Sequence, residues 1–457
     1  MLRMEESKVI ISRGPECPGR CKMTKETITA APSGRPHKTI KTNKVDTALL
    51  PKATLHEHIE GTVTPEMAAK LARRHHVTLP DKFVMEEGQY DKEDFPNGRY
   101  AYDESDFAAF INTYDCVANL MTTPEDYYDV TKDYLSKNAA EGGVYAELIL
   151  SPAHMAVEKN PETGATELSA PRYCAMMEAI SKAAAEVKEE TGLETRFIAT
   201  GVRNMGAENI KQVAEFVRDN PHPLVTGFGI AGNEREGKFD DFAEALAIAK
   251  GAGLKLALHA GEICGPESIK DAVRLGASRI GHGVSAPQDP EVMKELAEKN
   301  VMVEVCPTSN RILVTDLKGD LANHPARTLY DAGIRISLNP DDAGIFGTHT
   351  GKEHRIGAEK FDFTKAEMFD ITLSAIECSF ADVKTRKQLK EKVYAGMTAE
   401  DRKEMKDLAE KAKNPVLKQR LTTRVIESNK VARKQEIQKR RSEAMKAALF
   451  KRKALSR

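Results

Sequence analysis

No stretch of the 457 residues approaches the roughly 18 consecutive apolar positions that a membrane-spanning helix needs, which excludes an integral helical membrane protein. A secretory hydrophobic segment is also missing, since Val9-Ile10-Ile11 is too short, and Glu5 and Glu6 fit poorly with an acid-poor transit peptide. Cysteine is sparse: seven residues, at 17, 21, 116, 174, 264, 306 and 378. Their odd number and the lack of any Cys-x-x-Cys pair exclude a disulfide framework and a thiolate zinc cage. Together these absences point to the reducing cytoplasm. Hydrophobic residues at 40% and charged residues at 30% suit a water-soluble chain with a sizeable core.

The net charge of −1 is a near-cancellation. Residues 1–45 carry ten Lys/Arg against four Glu, and residues 429–457 carry eleven against two, leaving the middle at −16. An acidic body with two basic ends lacks the clustered positive face of a dedicated nucleic-acid binder. The N-terminal 1–45, rich in Lys, Thr, Pro and Gly without a sustained period, reads as a disordered basic segment. Residues 401–457 read as a helical extension whose last thirty residues form a solvated basic tail.

Between these ends, 46–400 alternates short β-rich runs with helical stretches. The runs fall at Leu50–His58, Val144–Pro152, Thr195–Val202, Val225–Gly232, Lys255–Gly261, Arg279–Gly283, Val301–Pro307 and Arg335–Pro340. Eight strand slots separated by helices predict a (β/α)8 TIM barrel. The first gap is the longest and holds helical patterns at Pro65–His76, Asp106–Leu120 and Pro124–Glu141, so a helical insertion is expected after strand one. A doubly wound sheet would want a glycine-rich phosphate turn there. His56-Glu57-His58-Ile59-Glu60-Gly61 stands in its place.

The chemistry lies at the strand ends, which in such a barrel open on one face. Strand one ends in His56-Glu57-His58, strand five in His259-Ala260-Gly261-Glu262, strand six in Gly281-His282-Gly283 and strand eight in Asn339-Pro340-Asp341-Asp342. Alternation places His56 and His58 on one face and Glu57 on the other, where it reads as structural or outward-facing. Three imidazoles and a carboxylate suit zinc with a position left for water, which assigns His56, His58, His259 and Asp341 as ligands. A zinc ion lowers the pKa of its water to about 7. Glu262 then stands close enough to shuttle protons, and His282 to hold or deprotonate the water. His75, His76, His154, His222, His324, His349 and His354 read as ordinary core or surface histidines. Barrels with two metals bridged by a lysine on strand four are disfavoured, because Val225-Thr226-Gly227-Phe228-Gly229-Ile230-Ala231-Gly232-Asn233-Glu234 contains none. The His-x-Glu and Pro-Cys-x-x-Cys signature of cytidine-type zinc deaminases is absent as well.

Taken as a set, these blocks resemble the adenosine/adenine deaminase family of metal-dependent amidohydrolases. The resemblance runs over about 48–395, through Pro51-Lys52-Ala53-Thr54-Leu55-His56-Glu57-His58-Ile59-Glu60-Gly61, Ala231-Gly232-Asn233-Glu234 and His259-Ala260-Gly261-Glu262. It continues through Gly265-Pro266-Glu267-Ser268, Arg279-Ile280-Gly281-His282-Gly283-Val284, Val305-Cys306-Pro307-Thr308-Ser309-Asn310 and Ser337-Leu338-Asn339-Pro340-Asp341-Asp342. It implies one zinc per subunit and hydrolytic removal of the 6-amino group of a small purine. Glu262 would donate a proton to N1, and His282 would position and deprotonate the water. Asp341 would bind zinc and accept a hydrogen bond from its hydroxide, and Asp342 would contact N7. The Gly232 backbone would meet N3, Glu60 would face a ribose, and His58 would border the substrate as well as the metal. The resemblance favours adenosine and deoxyadenosine as substrates, giving inosine-type products, with adenine to hypoxanthine as the alternative. Further behind stand an N6-modified purine and a non-catalytic barrel that binds RNA through its basic tails. Two positions depart from the common family pattern: Glu60, where many adenosine-specific members have Asp, and Ala343-Gly344 after the Asp-Asp pair, where a proline is usual.

Overall fold

The β-rich runs form eight strands in a computed structural model that describes residues 45–92, 95–104, 106–161 and 164–455, with side chains as far as 446. The expectation of disorder for 1–45 falls, except for Val45, outside the described residues. The strands are β1 (Lys52–Thr54), β2 (Gly143–Leu150), β3 (Glu194–Val202), β4 (Val225–Ala231), β5 (Lys255–Ala260), β6 (Arg279–His282), β7 (Met302–Val305) and β8 (Ile336–Leu338). Each pairs in parallel with the next in chain order. A parallel sheet buries both faces, which is why Val, Ile, Leu and Phe crowd these runs. The ring closes through a parallel bridge between Glu57 and Asp341. There the His58 amide donates to the Asp341 carbonyl at 2.7 Å, and the Asp341 amide to the His56 carbonyl at 3.2 Å. The architecture is the (β/α)8 barrel expected from the alternation.

Strand one is shorter than the Leu50–His58 expected. At Leu55 the backbone amide donates to Asn339 Oδ1 at 2.8 Å, and the Asn339 amide donates in turn to the Val305 carbonyl at 3.1 Å. A side chain thus replaces one rung of the ladder at the seam. Lys52 anchors the start of β1: fully buried, it donates to the carbonyls of Thr47, Leu50 and Glu141.

The insertion between β1 and β2 supplies helices α1 (Pro65–His75), α2 (Phe107–Ala118) and α3 (Pro124–Ala140). Their starts were marked by local chemistry. Thr64 caps α1 by accepting from the Met67 amide, Asp106 caps α2 through Ala108, and Thr123 with Asp126 forms a reciprocal capping box on α3. Pro65 and Pro124 sit in the first turn, where a missing N–H costs nothing. A two-stranded hairpin, Val157–Lys159 with Thr166–Leu168, lies outside the barrel and has no counterpart in the sequence reading.

Five helices follow β8 from residue 350 onward, ending in Pro415–Leu455. The first part of that last helix is docked onto Lys365–Cys378. Arg424, fully buried, donates to Asp370 at 3.0 Å and to both Glu377 oxygens at 2.6 and 2.8 Å. Arg420 donates to Asp370 at 2.9 Å and to the Gly333 carbonyl at 2.8 Å. Among the described residues of this helix every side chain is exposed from Arg433 to Lys446, while Val431 and Ala432, within the expected solvated tail, are half-buried. Among the described residues no helix is long and apolar enough to cross a membrane.

Candidate active site

The ligand atoms of His56, His58, His259 and Asp341 lie within 4.8 Å of one another, and all four side chains are buried. His56 Nε2 is 3.2 Å and His58 Nε2 3.5 Å from Asp341 Oδ1, and the Nε2 atoms of His58 and His259 face each other at 3.2 Å. His56 Nε2 has no hydrogen-bond partner. A buried ring nitrogen without a partner is costly unless something else meets it. The electrostatics point the same way. Burial alone would lower the His56 pKa, yet Asp341 and Glu304 beside it hold it up to about 10. The site demands positive charge, and its three imidazoles and one carboxylate form a donor set that fits a divalent cation of the zinc type. An overlapping group of His282, Cys306 and Asp341 is a poorer match. Burial pushes the Cys306 thiol well up, keeping it protonated.

Two backbone features let these side chains converge. A Cβ on Gly281 would come 2.7 Å from His56 Cε1, and one on Gly61 would collide with the Asp342 carboxyl. Glycine at 61 and 281 is therefore set by side-chain packing. His282 and Asp341 both adopt positive φ, 66° and 72°, a conformation that non-glycine residues pay for and that clusters at functional sites.

Carboxylates behind these residues, unassigned in the sequence, orient them. Glu304 accepts from His56 Nδ1 at 2.7 Å and thereby aims Nε2 at the centre. Arg279, itself fully buried, stands 2.5 Å from the other Glu304 oxygen and 2.6 Å from Glu147. Glu234 accepts the backbone amides of Gly261, Glu262, Ile263 and Cys264 at 2.6 to 3.1 Å, and also the Ser268 hydroxyl. It fixes the turn that carries Glu262. Glu57 is fully buried and accepts the Ala343 amide at 2.9 Å, so it holds the loop after β8 and does not face outward. The loop that lacks the usual proline is secured this way.

Glu262 is buried, 3.6 Å from His282 Nδ1, and its carboxyl is raised well above the ordinary range by burial and by Asp341 and Glu234. Asp342 is raised likewise by burial, with Asp341, Glu57, Glu60 and Glu262 around it. For both side chains burial and the neighbouring carboxyls favour the protonated form, which can donate. Burial lowers His282 to about 4, keeping it neutral.

A cavity of about 230 Å³ opens onto these groups. His58, His259, Glu262, His282, Asp341 and Asp342 line its inner end and Gly232 one side, while Phe107, Phe110, Ile111 and Tyr114 of α2 form an apolar wall. His154, read from the sequence as ordinary, reaches this wall too, with Nδ1 2.9 Å from Ser151 Oγ. Glu60 does not line the cavity. It is fully buried behind Tyr114, whose hydroxyl donates to Oε2 at 3.0 Å, while Oε1 accepts the Ser151 amide at 3.3 Å. The other predicted site residues meet at one mouth.

The model of the family described as adenosine deaminase matches residues 51–396. The chain belongs to the adenosine deaminase family. Within that family it is 40% identical over 344 residues to a protein described as adenine deaminase from Agrobacterium fabrum, a match covering 75% of this chain and 98% of that one. Among solved structures it resembles adenine deaminase from Arthrobacter aurescens, 27% identical with a TM-score of 0.64, over 75% of this chain and 98% of that one. An Arabidopsis N6-mAMP deaminase is 25% identical with a TM-score of 0.59, over 75% and 97%. As a member of the family the chain is an aminohydrolase acting on a purine. The long basic tail and the N-terminal segment lie outside the matched region.

Proposed function

We propose that this chain hydrolyses adenine to hypoxanthine and ammonia. This reading replaces adenosine as the first choice, and one observation carries it: the Glu60 carboxylate is occupied by Tyr114 and Ser151 and is withheld from the cavity. A sugar would not find the Glu60 carboxylate for its hydroxyls and would meet the aromatic wall of α2, with Asp115 and His154 as the polar groups beside it, and any hydroxyl left unpaired there is costly. The naming of the 40% identical relative as an adenine deaminase supports the same reading.

His56, His58, His259 and Asp341 would hold one zinc ion per subunit, which would supply an acidified water at neutral pH. The protonated Glu262 donates to N1 of the purine, which makes C6 electrophilic. The protonated Asp342 donates to N7, which is an acceptor and could not bond a carboxylate. The Gly232 backbone, at the cavity wall, faces N3, and His282 holds the attacking oxygen. With the Glu262 proton on N1, one water proton returned to Glu262 and the other moved to the departing amine, the products balance as hypoxanthine and ammonia.

The test is turnover of adenine, adenosine and N6-methyl-AMP by purified zinc-loaded protein, offered separately and followed by ultraviolet absorbance. Adenine is expected to react at least about 100-fold faster by kcat/KM than either larger compound, the scale on which a buried polar mismatch discriminates. Faster turnover of adenosine would restore the nucleoside reading, and faster turnover of N6-methyl-AMP would favour the modified nucleotide.

A further inference from the structure

A chain of three buried side chains runs away from the cavity behind His282, and its polarity is set at the far end by a backbone amide. The Ala326 N–H donates to His324 Nδ1 at 3.1 Å. A backbone amide can only donate, so this nitrogen of His324 must be the acceptor. His324 is 6% exposed, and burial lowers it to about 3, so the ring is neutral and its single proton sits on Nε2. That nitrogen is 3.2 Å from Asn310 Oδ1 and donates to it. The amide of Asn310, fully buried, is thereby fixed with its nitrogen on the opposite side, 3.0 Å from His282 Nδ1. An amide N–H also only donates.

We infer that His324 and Asn310 are positioning residues that hold His282 as its Nε2–H tautomer. In this state His282 meets the attacking oxygen as a hydrogen-bond donor. It cannot also serve as the base that removes the water proton, because Nε2 already carries one and Nδ1 is taken by Asn310. That duty passes to Glu262 once its own proton is on N1. His324 and Asn310 touch neither cavity nor ligand set, so their contribution is exerted wholly through His282. The role of the donor rests on the hydrolytic reading above; the tautomer itself does not.

The experiment uses the full chain, zinc-loaded and without purine, labelled with ¹⁵N-histidine, and reads tautomers from two-bond proton–nitrogen correlations. The His282 signals are identified by their loss in His282→Gln. The expected result is a His282 with proton-bearing Nε2 and bare Nδ1, and a His324 of the same tautomer. In Asn310→Asp, which places an acceptor against Nδ1, the His282 pattern should invert, and kcat for adenine should fall by about 10–100-fold with KM little changed. His324→Gln, which frees the Asn310 amide to turn, should broaden or mix the His282 pattern while leaving zinc stoichiometry intact. A wild-type His282 protonated on Nδ1, or on both nitrogens, overturns the inference, and so does an unchanged His282 pattern in folded Asn310→Asp. If adenine is not turned over but the tautomer is as stated, the hydrolytic reading fails and the relay stands.

Discussion

His58 and Asp341 are joined twice: the His58 amide donates to the Asp341 carbonyl at 2.7 Å, and His58 Nε2 stands 3.5 Å from Asp341 Oδ1. The first contact closes the barrel between β1 and β8, and the second belongs to the metal-binding cluster. The two are one structural event. A cation drawn between these side chains would also hold the barrel closed at its seam.

Metal removal should therefore destabilise the fold as well as stop the reaction. Chelation is expected to lower the unfolding temperature and to speed amide exchange at His58 and Asp341 more than in β4 or β5. Ligand binding to the native state alone stabilises by about 4 kcal/mol at a thousandfold excess over Kd. His58→Ala should show the low unfolding temperature whether or not zinc is added. An unchanged temperature after complete removal of the metal would separate the seam from the site.

Glu304→Gln tests the group behind His56. The amide keeps the shape but loses the charge that accepts from Nδ1 and pairs with Arg279. Zinc affinity measured by competition with a chromophoric chelator should weaken by about 10–100-fold. Retained affinity would mean that the backbone alone orients His56.

Glu234→Gln addresses the Glu262 turn. One side of the new amide cannot accept, so either the Gly261 amide alone or the amides of Glu262, Ile263 and Cys264 together lose their partner, at about 1–3 kcal/mol for each buried group. The expected outcome is a kcat reduced by about 10–100-fold with zinc content unchanged, since second-layer partners of a catalytic group act on this scale. Full activity would show that Glu262 needs no such support.

His354 gives the acid limb of stability a named contributor. Fully buried, it donates from Nδ1 to the Thr350 carbonyl, and burial lowers it to about 3. The unfolded chain, with histidine near 6.5, binds the extra proton between these values. The His354 contribution is thus present above pH 6.5 and is lost as pH falls toward 3, by about 1.4 kcal/mol per unit. In His354→Gln, unfolding free energy should depend less steeply on pH between 6.5 and 4, as measured by urea titration.

The C-terminal helix divides at about residue 433. Ending the chain at Ala432 should leave stability and turnover near those of the full protein. Ending it at Asn414 removes Arg420 and Arg424 and leaves the buried Asp370 with the Tyr330 hydroxyl in place of its two arginines, while Glu377 keeps Arg335 and Lys390, at a cost of about 3–5 kcal/mol. Equal stability of the two truncations would show that the docking contributes nothing.

Much of the site was legible because its ligands are written locally. His56 and His58 share a face by strand alternation, and His259, His282 and Asp341 each end a β-rich run, so the barrel topology alone brings them together. The starts of α1 and α3 at Pro65 and Pro124 matched the helical patterns expected there, because proline fits the first turn of a helix. What sequence alone could not convey were relationships between distant residues. Glu234, Glu304, Asn310 and His324 act on groups 27 to 248 positions away or through a partner that does, and nothing in their local sequence marks them. Glu60 was legible as an unusual residue, but whether its carboxylate reached the cavity depended on Tyr114, 54 positions along in the inserted helix. Arg420 and Arg424 read only as part of a helical extension, and the Asp370 and Glu377 carboxylates that hold them lie 47 to 54 positions away. Periodicity and composition determined the barrel, the ligand types and their common mouth, because those depend on short-range geometry. Which carboxyls are protonated, which nitrogen of His282 carries its proton and what size of purine fits were decided by the tertiary structure, because burial and neighbouring charge exist only once the chain has folded.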